Sequence, residues 1–395
     1  MKIAIIELHG HLECLNSLCK IFEHSSFRID IYTTSGIYSE LRHYSYSRQF
    51  CWNVKPQKMS VKKFLTLSKT ALNNYDILFF TTMEIETGYS PYTDIGQKPA
   101  TILRIHNINS WFNRIHNIRL YVTPHDLFKD FSYLIRVFFG KADWFHKARI
   151  LRSISFFTFP TNQMTQFAKT NHLVNSGKLI APIPVSVFDP EYHKPLEKEH
   201  ITFTIPGKVD KRRRDYYLIL RVLKNILKKS NKGIKLIFLG KATNNYAKDV
   251  IKQFNKLSVD YSTFEFQYFT ARVPQTQFED IIKKTDLFIS PINIQTKYKL
   301  YREIYGQTKL SGIESDIIRY GKPAILPRDY QVDEDIQDLI DFYSNEEELS
   351  AILKEYIHTD LLSRKTSMAK IILENYSPEK LLSEIEEIFL SLVNQ

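Results

Sequence analysis

The chain has 395 residues, of which 43% are apolar and 25% charged, with 27 Phe and 23 Tyr, so it can build two or three cored domains and is not a disordered polymer. Its formal net charge of +11 selects anionic partners as a class (nucleic acid, a phospholipid surface or a phosphorylated substrate) without choosing among them. Three cysteines with no CxxC or His/Cys spacing exclude a disulfide framework and a zinc module, and favour a reducing, cytoplasmic setting.

The chain opens on "KIAIIEL" (2–8), an apolar run that reads as a buried parallel strand, and continues in a helical pattern to about Phe22. Glu7 and the missing basic start and cleavage site argue against a signal peptide, and no run of about 18 uncharged apolar residues predicts a membrane span. The runs "FRIDIYTT", "YDILFFTT", "PATILRIHN", "ISFFTFP" and "KLIAPIPV" follow, with helical or irregular stretches between them. Within this half, residues 128–157 set Phe128, Phe131, Ile135 and Phe138 on one helical face, amid Lys129, Arg136, Lys141, Lys147, Arg149 and Arg152. A helix with that face toward the core and its lysines in water is the expectation. The alternative is a basic amphipathic helix on an anionic membrane.

A Pro-punctuated charge cluster at 188–200 reads as a linker, after which the alternation restarts with "ITFTIPG", "IKLIFLG", "TFEFQYFT", "TDLFISPI" and "PAILP". In the tail, Ser377 is placed as an N-cap, Pro378 at the first helical position and Glu379 in the first turn. The predicted class is α/β, with two Rossmann-like doubly wound parallel-sheet domains facing a cleft, over 1–190 and 199–376. Residues 377–395 form a terminal helix packing back toward the first domain.

Ligands of open parallel sheets bind beyond the carboxyl ends of the strands, so the strand-end loops are the places to look. In "TIPGKVDKRRRDYYLIL" (204–220), Gly207 ends a strand and Lys208, Lys211, Arg212, Arg213 and Arg214 crowd the loop before a helix. Such a run is either a solvated loop or an anion site strengthened by the helix N-terminus. Gly240 and Lys241 end the next strand, where a missing side chain lets a ligand approach the backbone. Tyr268 and Phe269 end the one after, as stacking partners for a base or as ordinary packing aromatics. In "TKLSGIESDIIRYGKP" (308–323), Ser311 and Gly312 leave bare amides at a helix start, with Thr308 and Lys309 just upstream. Together they suit two phosphates, and Asp316 or Glu314 could accept from ribose hydroxyls; the plain alternative is a capped helix.

The order of these pieces, from the Gly207-Lys208 step through "TDLFISPI" to "SG…D…YGKPAI", resembles the C-terminal half of GT-B glycosyltransferases over residues 201–327. It is similar in particular to the bacterial family-4-like enzymes that build surface polysaccharides such as capsule and lipopolysaccharide. The resemblance implies a hexosyltransferase-like enzyme moving sugar from a nucleoside-diphosphate sugar to a hydroxyl of a glycan or lipid-linked acceptor. The donor would lie mainly against the second domain, with Lys208 and Arg213 on its diphosphate. Neither a cofactor nor a metal is implied, because cations and helix dipoles stabilise the leaving group in this fold. Those enzymes commonly carry two glutamates separated by seven residues; their places are held here by Thr308 and Asp316. The sugar contact and the stereochemistry therefore stay open.

The first domain should hold the acceptor. "IELHGHLECL" gathers Glu7, His9, His11 and Glu13 around Gly10. A His after the first strand resembles the general base of inverting GT-B enzymes, and a neutral imidazole can take a hydroxyl proton at neutral pH. Glu13 could orient His11 or be the base itself; otherwise this is a surface loop with two histidines. His106, in "RIHNINSWF", resembles the His that approaches the donor sugar in family-4-like enzymes, and "TTMEIE" (81–86) ends a neighbouring strand. Readings from other classes are a basic nucleic-acid-binding protein, for which no motif accompanies the charge, and a nicotinamide-dependent oxidoreductase, whose Gly-x-Gly-x-x-Gly is missing. A catalytically inactive GT-B-like binding protein also fits. No nucleic acid is expected as partner, and the location is cytoplasmic, at the inner face of the cell membrane if the basic helix meets it.

Overall fold

The computed structural model describes residues 1–83, 92, 99–112, 117–118, 124–139, 144–193 and 200–393. The end of the "TTMEIE" stretch (84–86), Lys141 and the linker residues 194–199 lie outside them. Two compact units result: unit 1 is Met1–Val187, Lys297–Leu310 and Pro378–Gln395, and unit 2 is Phe188–Thr296 and Ser311–Ser377.

Unit 1 is built on strands β1 (Lys2–Glu7), β2 (Arg28–Thr34), β3 (Cys51–Lys55), β4 (Ile77–Phe80), β5 (Ala100–Arg104) and β6 (Phe156–Thr158). Among the described residues they pair in parallel in the order β3-β2-β1-β4-β5-β6. The unbroken apolar run of β1 is what a strand covered on both faces requires. Ile3 and Ile5 face one core cluster with Leu15 and Leu18, whereas Ala4 and Ile6 face the other with Leu78 and Leu103. The helices are α1 (Leu12–Phe22), α2 (Ser35–Leu41), α3 (Val61–Leu72), α4 (Ile108–Trp111), α5 (Pro124–Phe139), α6 (Trp144–Ser153) and α7 (Asn162–Thr170). Side chains of Thr34, Ser60 and Thr161 accept from the first-turn amides of α2, α3 and α7.

Unit 2 repeats the plan with β7 (His200–Pro206), β8 (Gly233–Lys241), β9 (Phe264–Phe269) and β10 (Leu287–Ile289). A ribbon, β11 (Gln295–Tyr298) and β12 (Tyr301–Ile304), leads to β13 (Ala324–Pro327) and β14 (Ile340–Tyr343). Its sheet is parallel, in the order β14-β13-β10-β7-β8-β9. The helices are α8 (Tyr216–Leu227), α9 (Asn245–Asp260), α10 (Gln275–Lys283), α11 (Gly312–Tyr320), α12 (Glu346–His358) and α13 (Leu361–Leu373). Phe203 and Ile205 of β7 pack with Val222, Leu223 and Ile226 of α8, each buried aliphatic worth about 1.5–3 kcal/mol. Gly321 closes α11 in the left-handed conformation (φ 61°), its amide donating to Ile317 O at 3.0 Å.

Two returning segments complete unit 1. The last helix, α14 (Pro378–Val393), carries Leu381, Ile385, Phe389 and Leu392 on one stripe into the core with Leu18 and Phe22. The Phe22 and Phe389 rings stack 6.1 Å apart, and Glu386 accepts from Ser25 Oγ at 2.5 Å. The second is Lys297–Leu310, which the sequence reading kept inside the second domain. It docks by backbone: Ile108 N donates to Thr308 O at 2.8 Å, and the buried Glu303 carboxyl accepts from Ser110 N at 2.9 Å and Asn109 N at 3.3 Å. Such long-range backbone pairing leaves no periodicity to read.

One helix differs from expectation. Phe128, Phe131 and Ile135 of α5 are solvent-exposed, not core-facing. The side turned inward carries Asp130, which is buried and ion-paired with Lys297.

Candidate active site

In a doubly wound sheet the natural crevice lies where the strand order reverses, because there the flanking loops leave in opposite directions. In unit 2 that point is β7 beside β10, and in unit 1 it is β1 beside β4. The basic loop predicted to take a diphosphate follows β7. Gly207 has φ +95° and its amide donates to Leu239 O at 2.9 Å; Val209 N donates to Lys241 O at 3.2 Å. A Cβ on Gly240 would meet the Gly207 carbonyl at 2.3 Å. Glycine is therefore required at 240 by the neighbouring main chain, and the room over it is already filled by protein.

Beyond Gly207 the amides of Arg213 and Arg214 donate to Asp210 O at 3.0 and 3.1 Å, folding the basic run into a turn. Asn293 N donates to Arg213 O at 2.8 Å and Asp215 N to Pro291 O at 2.8 Å, which ties this turn to the loop after β10. The turn sorts the cations. Lys208, Lys211, Arg212 and Arg213 are exposed, whereas Arg214 is buried, its guanidinium 3.1 Å from the point where a Cβ on Gly207 would stand. The Nε of Arg214 has no hydrogen-bond partner in the structure. The sequence reading singled out Arg213 and passed over Arg214. Asp215 caps α8 by accepting from Leu218 N at 3.1 Å, which places Arg214 one residue before the cap.

At the start of α11, Ser311 Oγ accepts from Ile313 N at 3.5 Å, and open space surrounds the point where a Cβ on Gly312 would be. Glu314, in the first turn, is buried and accepts from Tyr330 Oη at 3.0 Å. Burial, reinforced by the charge of Asp333, pushes its carboxyl up to about 8. The acid nearest this helix start is thus held neutral and does not cancel the positive end of the helix dipole. Asp316 is half-buried in the same helix. Lys241 is exposed at the end of β8, next to β7. Tyr268 lies on β9, the edge strand, stacked on Phe266 at 5.6 Å and two strands from β7.

The loop after β1 is clasped from below by Glu7. Its fully buried carboxylate accepts from His9 N at 2.8 Å, Gly10 N at 3.1 Å and Thr81 Oγ1 at 2.5 Å. Gly10 can follow because it adopts φ +122°. The His9 ring bonds the Tyr92 hydroxyl, and burial pushes its imidazole down to about 4 against the attraction of Glu7.

His11 immediately precedes α1, and its ring stacks on His106, with centroids 5.2 Å apart and planes 16° apart. The two histidines chosen from sequence are thus brought together. His106 Nε2 lies 3.1 Å from Thr81 O, a carbonyl that can only accept, so Nε2 carries the proton and Nδ1 is left as an acceptor. Burial lowers the His106 pKa well below the ordinary imidazole value, and the Arg104 and His11 charges act in the same direction. His106 is therefore a neutral hydrogen-bond acceptor at pH 7. Glu13 is exposed on the first turn of α1.

Thr308 and Lys309 belong to this unit and Ser311 and Gly312 to the other, so what reads as one mouth in the sequence is divided in the fold. Lys309 Nζ donates to Asn107 Oδ1 at 2.8 Å and lies 4.7 Å from the centroid of the Tyr298 ring, beside the residue after His106. Thr308 is buried, with Oγ1 accepting from Ile304 N at 2.8 Å. Glu303, which no sequence pattern marked, holds this segment: burial pushes its carboxyl up to about 7 while the Thr308 hydroxyl and the Ser110 and Asn109 amides bond it.

No protein-family model matches the sequence, and no curated protein matches it. Solved structures do. The chain is similar to Anabaena HepE in complex with UDP and glucose, with a TM-score of 0.59 and 12% identity over 99% of this chain and 100% of that one. It is similar to the pneumococcal O-GlcNAc transferase GtfA in complex with UDP and GlcNAc, with a TM-score of 0.59 and 8% identity over 100% and 99% of the two chains. A third likeness is to the UDP-GlcNAc 2-epimerase from Neisseria meningitidis bound to UDP-GlcNAc, with a TM-score of 0.52 and 12% identity over 99% and 100%. At such identities the likeness is one of architecture. With two Rossmann-like domains of doubly wound parallel sheet, this chain has the fold of the GT-B glycosyltransferases.

Proposed function

We propose that this chain is a glycosyltransferase that moves a sugar from a nucleoside-diphosphate sugar to a hydroxyl of a glycan or lipid-linked acceptor. One observation carries the reading. At the strand-order reversal of unit 2, a buried arginine with an unbonded Nε stands beside the left-handed Gly207, among exposed Lys208 and Arg213. The start of α11 adds amides and a dipole that its own neutral Glu314 does not cancel. These groups suit a diphosphate leaving group: as the bond from the anomeric carbon to the phosphate oxygen breaks, the electron pair goes to an oxygen held by cations and amides.

In unit 1, His11 takes the proton of the acceptor hydroxyl as its oxygen bonds to the anomeric carbon. His106 offers Nδ1 to a sugar hydroxyl, and Lys309 and Asn107 lie beside it as further polar contacts. The transfer needs no metal in this scheme, since the charge of the leaving group is met by side chains. The family-4-like order of the motifs supports surface polysaccharide synthesis on the cytoplasmic side as the setting. The HepE, GtfA and epimerase structures support the donor class, each having been solved with a uridine nucleotide or its sugar.

A thermal-shift panel of UDP-, GDP-, CMP- and dTDP-sugars tests this reading. At a hundredfold excess over Kd the matching donor stabilises the fold by about 2.7 kcal/mol, a rise of several degrees in Tm. A panel in which no nucleotide sugar moves Tm, while NAD or a random oligonucleotide does, would overturn the proposal.

A further inference from the structure

Four side chains stand in two tiers at the start of α1. In the upper tier the His11 ring stacks on His106. One turn along α1 from His11 comes Cys14, and two residues before His106, at the end of β5, comes Arg104 on the same face of the sheet. Ile102 of that face packs with Leu15 and Leu18 of α1, whereas Leu103 and Ile105 pack on the other. Asn16 fixes which way Cys14 points. Its Oδ1 accepts from Tyr46 Oη at 2.5 Å, just ahead of the edge strand β3, and Cys14 lies about 160° round the helix, toward β4 and β5. The lower tier thus sets a thiol beside a guanidinium.

Arg104 is 1% exposed, yet only its Nη1 is bonded, to Pro184 O at 3.1 Å and Ile183 O at 3.5 Å. Its Nε and Nη2 have no hydrogen-bond partner. Burial pulls its basicity down, and the attraction of Cys14, then of Glu7, works against that. Cys14 is half-buried in the first turn of a helix whose N-cap side chain makes no cap bond. A thiolate is favoured by a helix N-terminus and by an adjacent arginine. Of the other titratable groups around this helix start, His9 and His106 are held neutral, Glu13 is exposed and Lys309 is cationic. Glu7 opposes the thiolate, but its charge is shared among His9 N, Gly10 N and Thr81 Oγ1.

We propose that Cys14 is a redox-sensitive site, whose thiolate facing Arg104 is oxidised by hydrogen peroxide to a sulfenic acid. The sulfur electron pair attacks one peroxide oxygen, and the S–O bond forms as the O–O bond breaks. The second oxygen leaves as hydroxide and takes a proton from solvent; sulfur is oxidised and peroxide reduced. The unbonded Nε and Nη2 of Arg104 are donors for the new oxygen. That oxygen stands one turn from His11, so under the transferase reading oxidation lowers turnover and a reductant restores it. The thiol chemistry itself does not depend on that reading.

The test is alkylation of the full chain with iodoacetamide across a pH series, read at each cysteine by peptide mass spectrometry. Cys14 should label with a midpoint at least one pH unit below the free-thiol value of about 8.5. Exposed Cys51 on β3 reports on the reagent, and buried Cys19, whose thiol is pushed far up by burial, should stay unlabelled. After brief treatment with hydrogen peroxide, dimedone should trap an adduct on Cys14 that Cys14→Ser lacks. Arg104→Met should raise the Cys14 midpoint by about one unit, slowing alkylation about tenfold at neutral pH, and Arg104→Lys, which keeps a charge, should raise it less. Should Arg104→Met fail to fold, the wild-type profile and the lysine variant decide. A wild-type Cys14 midpoint at or above the free-thiol value, no dimedone adduct on Cys14, or a folded Arg104→Met with an unchanged midpoint overturns the proposal.

Discussion

His11→Ala should lower turnover by roughly 10²–10⁴-fold, the span that a positioned general base supplies, while the Kd for the nucleotide sugar stays within about twofold. The asymmetry with His106 is what makes this test pointed. The Nε2 proton of His106 is committed to Thr81 O, and burial holds its basicity well below that of a free imidazole, so it is placed to accept a hydrogen bond and poorly suited to remove a proton. His11 contributes no side-chain cap to α1 and stacks flat on the His106 ring. Replacing His106 by Phe keeps a ring for that stack but removes both the Nδ1 acceptor and the Nε2–H bond to Thr81 O, so it should lower sugar affinity by about tenfold and cost about 1–3 kcal/mol of stability for the carbonyl left unpaired. Single-turnover kinetics with a saturating donor separate the two. Full activity in His11→Ala moves the base elsewhere, with Glu13 the next residue to replace.

The second large effect concerns the diphosphate. Arg214→Met should weaken UDP binding by about a hundredfold, since a buried, preorganised guanidinium forms charge-assisted bonds worth about 1.5–3 kcal/mol each. Lys208→Ala and Arg213→Ala remove exposed cations whose attraction is screened by solvent, so each should cost about tenfold or less, and the loss should shrink as salt rises. Titration calorimetry at two ionic strengths reads both effects. Arg214→Lys guards against a folding artefact: it retains the charge and should recover part of the affinity. If Arg214→Met and the two alanine variants all bind UDP as wild type does, the loop after β7 is not the diphosphate site.

The architecture was written plainly in the sequence, because the middle of a strand covered on both faces must be apolar, as Ile3–Ile6 of β1 and all of β4 and β10 are. Local signals were equally clear where one residue type is needed for one conformation, as with Gly321 at the end of α11. Long-range packing was not. Periodicity showed that α5 has an apolar side but not which way it turns, and the pair that turns it, Asp130 with Lys297, is separated by 167 residues. Gly240 looked like an opening for a ligand because the chain does not announce that the Gly207 backbone will press against it. The choice between Arg213 and Arg214 depended on the phase of a turn fixed by Asp210 O and by the loop after β10. Thr308 and Lys309 stood next to Ser311 in sequence, yet hydrogen bonds to the stretch after β5 carry them into the other unit.

Hydrogen exchange followed by mass spectrometry, on the full chain with and without UDP, bears most directly on the whole account. Added nucleotide should slow exchange in peptides spanning 207–214 and 311–314, the turn that carries Arg214 and the start of α11, because a bound diphosphate holds both closed. If those two stretches exchange at unchanged rates while protection appears on some other part of the molecule, the pyrophosphate is held elsewhere and the transferase reading fails with it.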